Sequence, residues 1–263
     1  MKRMDRLAIS LFLALLACGL PAQAQAQEED LSYQEIVRQF VRYSLVHLTV
    51  TGKLPDGTDI APIEGTGFLV SDDGHVVTAK HIVMTQTRWE QHAAALAALR
   101  QTPLTYVQKN LSYIGRLKKD DQQFFTLIPV KDSDSADIAV LKVQSWTDHL
   151  REKPWPILPI IPVTNASKSM RVVAWGFPAS EPVEALYGGD FTSTITAVGI
   201  IQDGLVLTSA NLGLQPGASG GPVFNRRAQI VGVVYGGRQL QPTGFFTPGN
   251  VLLNFLDQLG VVR

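Results

Sequence analysis

From Ser44 onward the chain is a series of short apolar runs separated by turn residues, and this alternation limits the fold more than any other feature. The runs are rich in Val, Ile, Leu and Thr, and turn sequences such as SDDG and QDG stand between them. About ten short runs with regular turn signals indicate an all-β barrel or sandwich protein. The runs cover residues 45–50, 65–70, 75–79, 124–130, 138–143, 171–176, 193–201, 205–210, 221–225 and 229–237.

The composition indicates a well-packed protein, as opposed to a disordered chain or a strongly basic protein that binds nucleic acids. Of the 263 residues 45% are hydrophobic and 17% are charged, which excludes intrinsic disorder. Lys and Arg number 23, as do Asp and Glu, so the formal net charge is zero. The chain therefore lacks the overall basic field that attracts nucleic acids.

Residues 1–26 have the three-part pattern of a secretory signal peptide. A basic start precedes an apolar run from Leu7 to Ala17, and a small-residue tract then offers cleavage after Ala24 or Ala26. Alternatively, LLAC resembles a bacterial lipoprotein signal, in which Cys18 becomes the lipidated first residue. We expect an exported protein, periplasmic or secreted, with a lipid anchor at Cys18 as the alternative. Cys18 is the only cysteine, so the mature part forms no internal disulfide.

Several segments depart from the β pattern. Helical spacing predicts short helices over residues 33–43 and 250–260, and the Ala-rich stretch 87–101 is predicted to be a helical insertion. Three prolines make residues 144–159 a poor strand and predict a linker between two halves. Within a domain of residues 27–263, we expect one β-barrel at about 44–143 and a second at about 160–250.

The segment QPGASGGPVF (215–224) places Ser219 between glycines at a tight turn before a strand. The glycines allow a sharp bend and leave N–H groups to point at one spot beside the hydroxyl. The pattern alone is explained equally well by a glycine-rich hairpin with an exposed serine. A nucleophilic serine also needs a base.

All five histidines precede Ser219, which excludes the Ser–Asp–His order of α/β-hydrolases and disfavours an esterase or lipase. His81 directly follows an apolar strand, where its side chain can face a cleft. The other histidines lie in strands, on a predicted helix or beside the linker, where an ordinary structural role suffices: His47, His75, His92 and His149.

Asp137 is the best candidate to orient an imidazole. It precedes the apolar strand in DSADIAVLKV, so its carboxylate can be held at the edge of the core. Its rivals are explained as solvated turn residues: Asp72, Asp73, Asp132 and Asp134. Neither histidines spaced by four nor cysteine pairs nor Asp-rich loops predict a metal site, and we expect no cofactor.

Three blocks now resemble a known family: GTGFLVSDDGHVVTAKHIV, DSADIAVLKV and QPGASGGPVFN. They resemble the catalytic blocks of the trypsin-like (chymotrypsin-fold) serine peptidases, and of their HtrA (Deg) branch in particular, over residues 44–259. The resemblance implies two six-stranded antiparallel β-barrels with the active site between them. The PDZ domains usual in that branch are expected to be absent, because the chain ends soon after Ser219.

The resemblance also implies a role for each candidate residue. His81 would act as the base, Asp137 would orient it, and Ser219 would attack the substrate carbonyl. The backbone N–H groups of Gly217 and Ser219 would form the oxyanion hole. The strand residues Val234, Tyr235 and Gly236 would pair with an extended polypeptide substrate.

The expected function is that of an exported serine endopeptidase acting on unfolded or flexible chains. Gly213 stands six residues before Ser219, where trypsin-like enzymes have the floor of the primary pocket, and it offers no carboxylate. This predicts cleavage after small or medium apolar residues. Two alternatives remain open: a catalytically silent binding or scaffold protein with the same fold, and a zymogen-like state whose loop 213–218 is collapsed.

Overall fold

The structure, a computed structural model, describes residues 44–83, 101–117, 124–146, 166–179, 184–188, 192–238 and 242–261. The predicted signal peptide and the predicted helix 33–43 lie outside these residues. So do all but one residue of the predicted insertion and most of the predicted linker. In the described part of the chain, no helix is long and apolar enough to cross a bilayer.

Six antiparallel strands close into a barrel in the order β1-β2-β3-β6-β5-β4, which confirms the first predicted barrel. Alternate side chains of each strand point inward, so that Val46, Leu48 and Val50 of the first strand are fully buried. The strands are β1 (Leu45–Lys53), β2 (Asp59–Leu69), β3 (His75–Thr78), β4 (Leu111–Arg116), β5 (Phe125–Asp132) and β6 (Ala139–Trp146).

The remaining strands form a second sheet in the order β11-β12-β13-β10-β9-β7-β8, with an additional pairing of β11 with β7. We predicted six strands here, and the described residues contain seven, because the short strand β8 adds to the edge of β7. The strands are β7 (Arg171–Gly176), β8 (Ala185–Tyr187), β9 (Ser193–Gln202), β10 (Leu205–Ala210), β11 (Pro222–Asn225), β12 (Ile230–Gly237) and β13 (Gly244–Pro248).

Two α-helices accompany the sheets in the described residues. Helix α1 (Leu104–Lys109) begins after Pro103 and was not predicted, whereas α2 (Gly249–Gln258) begins one residue before the predicted start. The apolar face of α2 packs Leu252, Phe255 and Leu256 into a core shared with strands of both sheets. Strands β4, β8 and β13 were not predicted either, since each is short and β4 and β13 contain glycine.

The turn between β2 and β3 carries a polar cluster at the rim of the barrel. Asp73 Oδ1 accepts a hydrogen bond from the Ser71 hydroxyl and lies 2.8 Å from His75 Nδ1, and its Oδ2 accepts from Lys142 Nζ at 3.0 Å. Burial raises the pKa of the Asp73 carboxyl, but the bonds from Ser71, Lys142 and His75 outweigh it and hold the pKa well below its ordinary value.

We expect Asp73→Asn to lower the free energy of unfolding by about 0.5–1 kcal/mol at neutral pH, since the carboxylate is half-exposed. Because the folded pKa is depressed, this stabilisation is present above the unfolded pKa near 4 and is lost as the pH falls below it. Thermal melts at pH 7, 4 and 2.5 should show the difference from the wild type shrinking toward acid. Asp72→Asn, in the same turn, should show no such trend.

Candidate active site

Strand pairing places the predicted histidine and aspartate side by side. Thr78 at the end of β3 pairs with Ala139 at the start of β6. His81 lies on a short 3-10 helix directly after β3, and Asp137 lies just before β6. Because antiparallel neighbours bring the end of one strand beside the start of the other, the two residues meet.

One carboxylate holds both the ring and the backbone of His81. Asp137 Oδ2 lies 2.8 Å from His81 Nδ1, and Oδ1 accepts the His81 backbone N–H at 2.9 Å. The two side chains are only 12% and 6% exposed. This arrangement keeps the proton on Nδ1 and leaves Nε2 as the basic nitrogen of the ring.

Neighbouring residues fix the two segments that carry this pair. The Ser133 hydroxyl accepts the backbone N–H groups of Ser135 and Ala136, which closes the loop before Asp137. The Tyr113 hydroxyl donates to the Val83 carbonyl at the end of the 3-10 helix. Burial, with a smaller effect of the Asp132 carboxylate, raises the pKa of Tyr113 to about 12, so the phenol keeps the proton that it donates.

The rival aspartates lie elsewhere. Asp132 forms an ion pair with Lys80 at 3.2 Å, and Asp134 is exposed to solvent. Asp73 belongs to the rim cluster described above, and Asp72 is exposed beside it. Of the five candidates, only Asp137 contacts the ring of His81 within the described residues.

Ser219 lies in the turn before β11 and is half-buried. Its hydroxyl donates to the Tyr235 carbonyl at 3.1 Å, and among the described residues no hydrogen bond joins it to His81. The ring of Tyr235 in turn packs against the ring of His81, with centroids 5.7 Å apart and planes at 75°. Tyr235 therefore contacts both Ser219 and His81.

The loop before Ser219 is a type II turn. The Ala218 N–H donates to the Gln215 carbonyl at 3.1 Å, Pro216 occupies the second position, and Gly217 has a φ of +94° at the third. The Pro216 carbonyl accepts the Ala179 N–H at 2.8 Å. Since the carbonyl and N–H of a trans peptide point in opposite directions, the Gly217 N–H points away from Ala179.

Two backbone donors beside the hydroxyl are left available. Within the described residues, neither the Gly217 N–H nor the Ser219 N–H donates a hydrogen bond. A methyl group on Gly217 would lie 2.3 Å from the Phe177 carbonyl oxygen, so only glycine fits this turn. Such paired donors are suited to stabilising a negatively charged oxygen.

The other predicted substrate-binding residues differ in burial and in the space around them. Val234 is fully buried, its N–H donates to the Gly221 carbonyl, and its carbonyl accepts the Gly220 N–H. Tyr235 and Gly236 are half-buried beside it, and the space around Gly236 is open. Gly213 is exposed and has open space on its side-chain side. Among the described residues, no group of three or more His, Cys, Asp or Glu side chains could hold a metal ion.

With this geometry described, comparison with known proteins identifies the family. The sequence profile of the family described as "Trypsin-like peptidase domain" matches residues 65–233, well over half of the chain. The chain belongs to the trypsin-like peptidase family. The matched range contains all three residues of the predicted triad, and the resemblance noted in the sequence is thereby confirmed.

Several curated relatives of this trypsin-like domain carry DegP or HTRA names. A protein of Chlamydia trachomatis serovar D named "Probable periplasmic serine endoprotease DegP-like" is 27% identical over 205 residues, covering 75% of this chain and 34% of the relative. A protein of the same name from Hahella chejuensis is 27% identical over 219 residues, covering 77% and 37%. Human "Serine protease HTRA4" is 25% identical over 193 residues, covering 72% and 34%. The chain thus spans about a third of the length of these relatives.

A solved structure supports the same fold. The crystal structure of Rv3671c from M. tuberculosis H37Rv, described as a mutant in an inactive form, matches with a TM-score of 0.55 and 20% sequence identity. The match covers 88% of this chain and 94% of the other. At this identity the likeness concerns the fold alone.

Sequence reasoning missed one residue that ties the trypsin-like site together. Thr66 of β2 is fully buried, and its N–H donates to the Ser219 carbonyl at 2.8 Å. Its hydroxyl donates to the Gly217 carbonyl at 2.7 Å and accepts the Phe177 N–H at 2.9 Å. The only signal in the sequence is a threonine between two glycines in GTGF, which no local rule distinguishes from a strand residue.

We expect Thr66→Val to lower the free energy of unfolding by about 2–3 kcal/mol, because it leaves a buried carbonyl and a buried N–H without this partner. Thr66→Ser keeps the hydroxyl and should cost about 1 kcal/mol or less. Denaturant titration of both variants measures the difference. Equal losses would show that the hydroxyl stabilises this junction no more than the methyl group does.

Proposed function

We propose that this chain is an exported serine endopeptidase that cleaves polypeptides through a His81–Asp137–Ser219 triad. The observation that carries the proposal is the buried Asp137–His81 pair beside a type II turn that leaves the Gly217 and Ser219 N–H groups available. Membership of the trypsin-like peptidase family supports it. So do the names of relatives that match about three quarters of the chain.

In the proposed reaction, the Ser219 hydroxyl leaves the Tyr235 carbonyl and attacks the carbonyl carbon of the scissile peptide. His81 Nε2 accepts the hydroxyl proton and delivers it to the leaving amine, which breaks the C–N bond and leaves an acyl-enzyme. Water activated by His81 then releases the acyl group. The negatively charged oxygen formed in each step would be bound by the Gly217 and Ser219 N–H groups. Catalytic hydrogen bonds often tighten only when substrate is present, so the bond to Tyr235 in the free protein is compatible with this role.

We further propose that the second sheet is the second barrel of a chymotrypsin-like fold. The pairing of β11 with β7 supports closure of the six strands other than β8. The proposed domain keeps the predicted bounds, with one barrel at about 44–143 and the other at about 160–250. A connection at about 144–159 would join the two, although β6 already extends to Trp146.

The proposed substrates have a small or medium apolar residue before the scissile bond. Leu214 follows Gly213 and lies against two glycines of neighbouring strands. A methyl group on Gly244 would lie 2.6 Å from Leu214 Cδ1, and one on Gly237 would lie 3.2 Å from Leu214 Cβ. We propose that the Leu214 side chain limits the depth of the primary pocket, since it lies against both strands beside Gly213.

We expect Leu214→Ala to shift the preference in a peptide library toward larger apolar residues by about tenfold, because a widened pocket gains about 1–3 kcal/mol per added contact group. A dominant preference for Arg or Lys before the scissile bond is not expected for this site. An unchanged profile in Leu214→Ala would place the primary pocket elsewhere.

The competing proposal is a silent binding protein with the same fold, and covalent labelling separates the two. A fluorophosphonate reacts only with a serine that is activated by its surroundings. We expect stoichiometric labelling of the folded protein, with the adduct mapped by mass spectrometry to the peptide containing Ser219. Heat-unfolded protein is the matched control and should not react. Absence of labelling in the folded protein would favour the silent form.

Export is proposed through residues 1–26, with lipidation at Cys18 as the alternative. The periplasmic names of the relatives support export. Determination of the mature N-terminus by mass spectrometry separates the two routes. A start just after Ala24 or Ala26 indicates a free protein, and a lipidated Cys18 indicates an anchored one.

A further inference from the structure

We propose that Tyr235 is a positioning residue for His81 and that Asp203, at the tip of the β9–β10 hairpin, holds it in place. This inference rests on the proposed peptidase function. In this proposal His81 is held from two sides. Asp137 contacts it from the first barrel, and Tyr235 contacts it from the second sheet. Neither the family match nor the names of the relatives assign such a role to these residues.

The β9–β10 hairpin presents Asp203 through a tight turn. Gln202 pairs with Leu205, and the two residues between them, Asp203 and Gly204, have φ angles of +54° and +77°. Positive φ at both positions defines a type I′ turn, for which Asp-Gly is a favoured sequence. The turn accounts for the residue type at 203. It does not account for the direction of the carboxylate, whose Oδ2 accepts the Tyr235 hydroxyl at 3.1 Å.

The side chain of Tyr235 links this carboxylate to His81. Its ring lies at 75° to the imidazole with 5.7 Å between centroids, an edge-to-face contact. Its own carbonyl accepts the Ser219 hydroxyl. One residue therefore touches the proposed base through its side chain and the proposed nucleophile through its backbone.

The contact matters because of how the imidazole is otherwise held. Asp137 contacts the His81 ring only through the hydrogen bond at Nδ1. A ring held at one nitrogen can still tilt about this hydrogen bond, which displaces Nε2. A cavity of about 210 Å³ lies on this side of the ring, lined by His81, Asp137, Asp203 and Tyr235 among others. Tyr235 limits the tilt into this cavity. Small displacements of a catalytic group lower the rate strongly, so a fixed Tyr235 would raise kcat.

The test uses Tyr235→Phe, which keeps the ring and removes the hydroxyl, together with Asp203→Asn and the double variant. Asp134→Asn is the matched control, since Asp134 lines the same cavity with the same charge, whereas the hydrogen bond of the Tyr235 hydroxyl goes to Asp203. Active-site titration with a fluorophosphonate normalises kcat to correctly folded sites. Peptide hydrolysis then gives kcat and KM separately.

We expect each single variant to lower kcat about five- to tenfold with KM changed less than about twofold, because the backbone that would pair with substrate is untouched. The double variant should be no slower than the slower single variant, since both remove the same hydrogen bond. The control should stay within about twofold of the wild type.

Three outcomes overturn the inference. Single variants with wild-type kcat, in a protein whose wild type is labelled and active, refute the positioning role and leave the proposed function intact. Losses that multiply in the double variant refute the link between Asp203 and Tyr235. A wild type that is neither labelled nor active removes the proposed function and this inference together.

Discussion

Replacement of Ser219 with alanine is expected to lower kcat for peptide hydrolysis by about 10⁴–10⁶-fold, while KM changes little. In the proposed mechanism the oxygen of this hydroxyl attacks the carbonyl carbon of the scissile peptide, and alanine removes the hydroxyl without adding bulk. The backbone contacts of this position do not depend on the side chain. Thr66 still donates to the carbonyl of residue 219, so the loop should keep its shape.

The measurement for Ser219→Ala is steady-state hydrolysis of a peptide with a small apolar residue before the scissile bond. Some activity over water should persist, because the two N–H donors remain. Ser209→Ala, which also removes a buried hydroxyl of the second sheet, serves as the control and should keep nearly full activity. Comparable activity of Ser219→Ala and the wild type would contradict the triad.

Asp137→Asn is expected to lower kcat at neutral pH by about 10⁴-fold. In the protein, Oδ2 faces the protonated Nδ1 of His81, and Oδ1 accepts the backbone N–H of the same residue. An asparagine that keeps the second bond turns its NH₂ group toward Nδ1. It then stabilises the tautomer protonated on Nε2, which cannot accept the serine proton.

The rate of fluorophosphonate labelling reports this change independently of substrate binding, and it should fall along with kcat. Because Asp137 is buried, a thermal melt must show that the variant is folded. Asp134→Asn in the same loop should label at the wild-type rate. A folded Asp137→Asn variant with normal labelling would mean that His81 is oriented by another group.

The sequence predicts those parts of the fold and site that depend on local pattern. Strand β3 followed by His81, and Asp137 before β6, are adjacent in sequence to strong apolar runs, so both positions could be assigned from their neighbours. The glycines around Ser219 could be assigned because a sharp turn needs them. A methyl group on Gly220, for example, would lie 2.1 Å from the Thr66 carbonyl oxygen.

What the sequence does not reveal depends on contacts between distant segments. Thr66 and Gly217 are 151 positions apart, and Asp203 and Tyr235 are 32 apart, so no local periodicity connects either pair. The QDG turn was recognisable, but the side chain that its aspartate would meet was not. Strand β13 escaped prediction because Gly244 and Pro248 at its ends are read as turn residues, whereas pairing with β10 and β12 makes it a strand.

The junction at Thr66 has a consequence for the newly made chain. A threonine from the N-terminal half reaches the main chain on both sides of residue 218, in the C-terminal half. The turn that carries the Gly217 and Ser219 N–H groups is therefore held by contacts that form when the two halves dock. Under the proposed mechanism, a molecule whose halves have not docked would carry the side chains of His81, Asp137 and Ser219 without the paired N–H donors, and it would therefore be inactive.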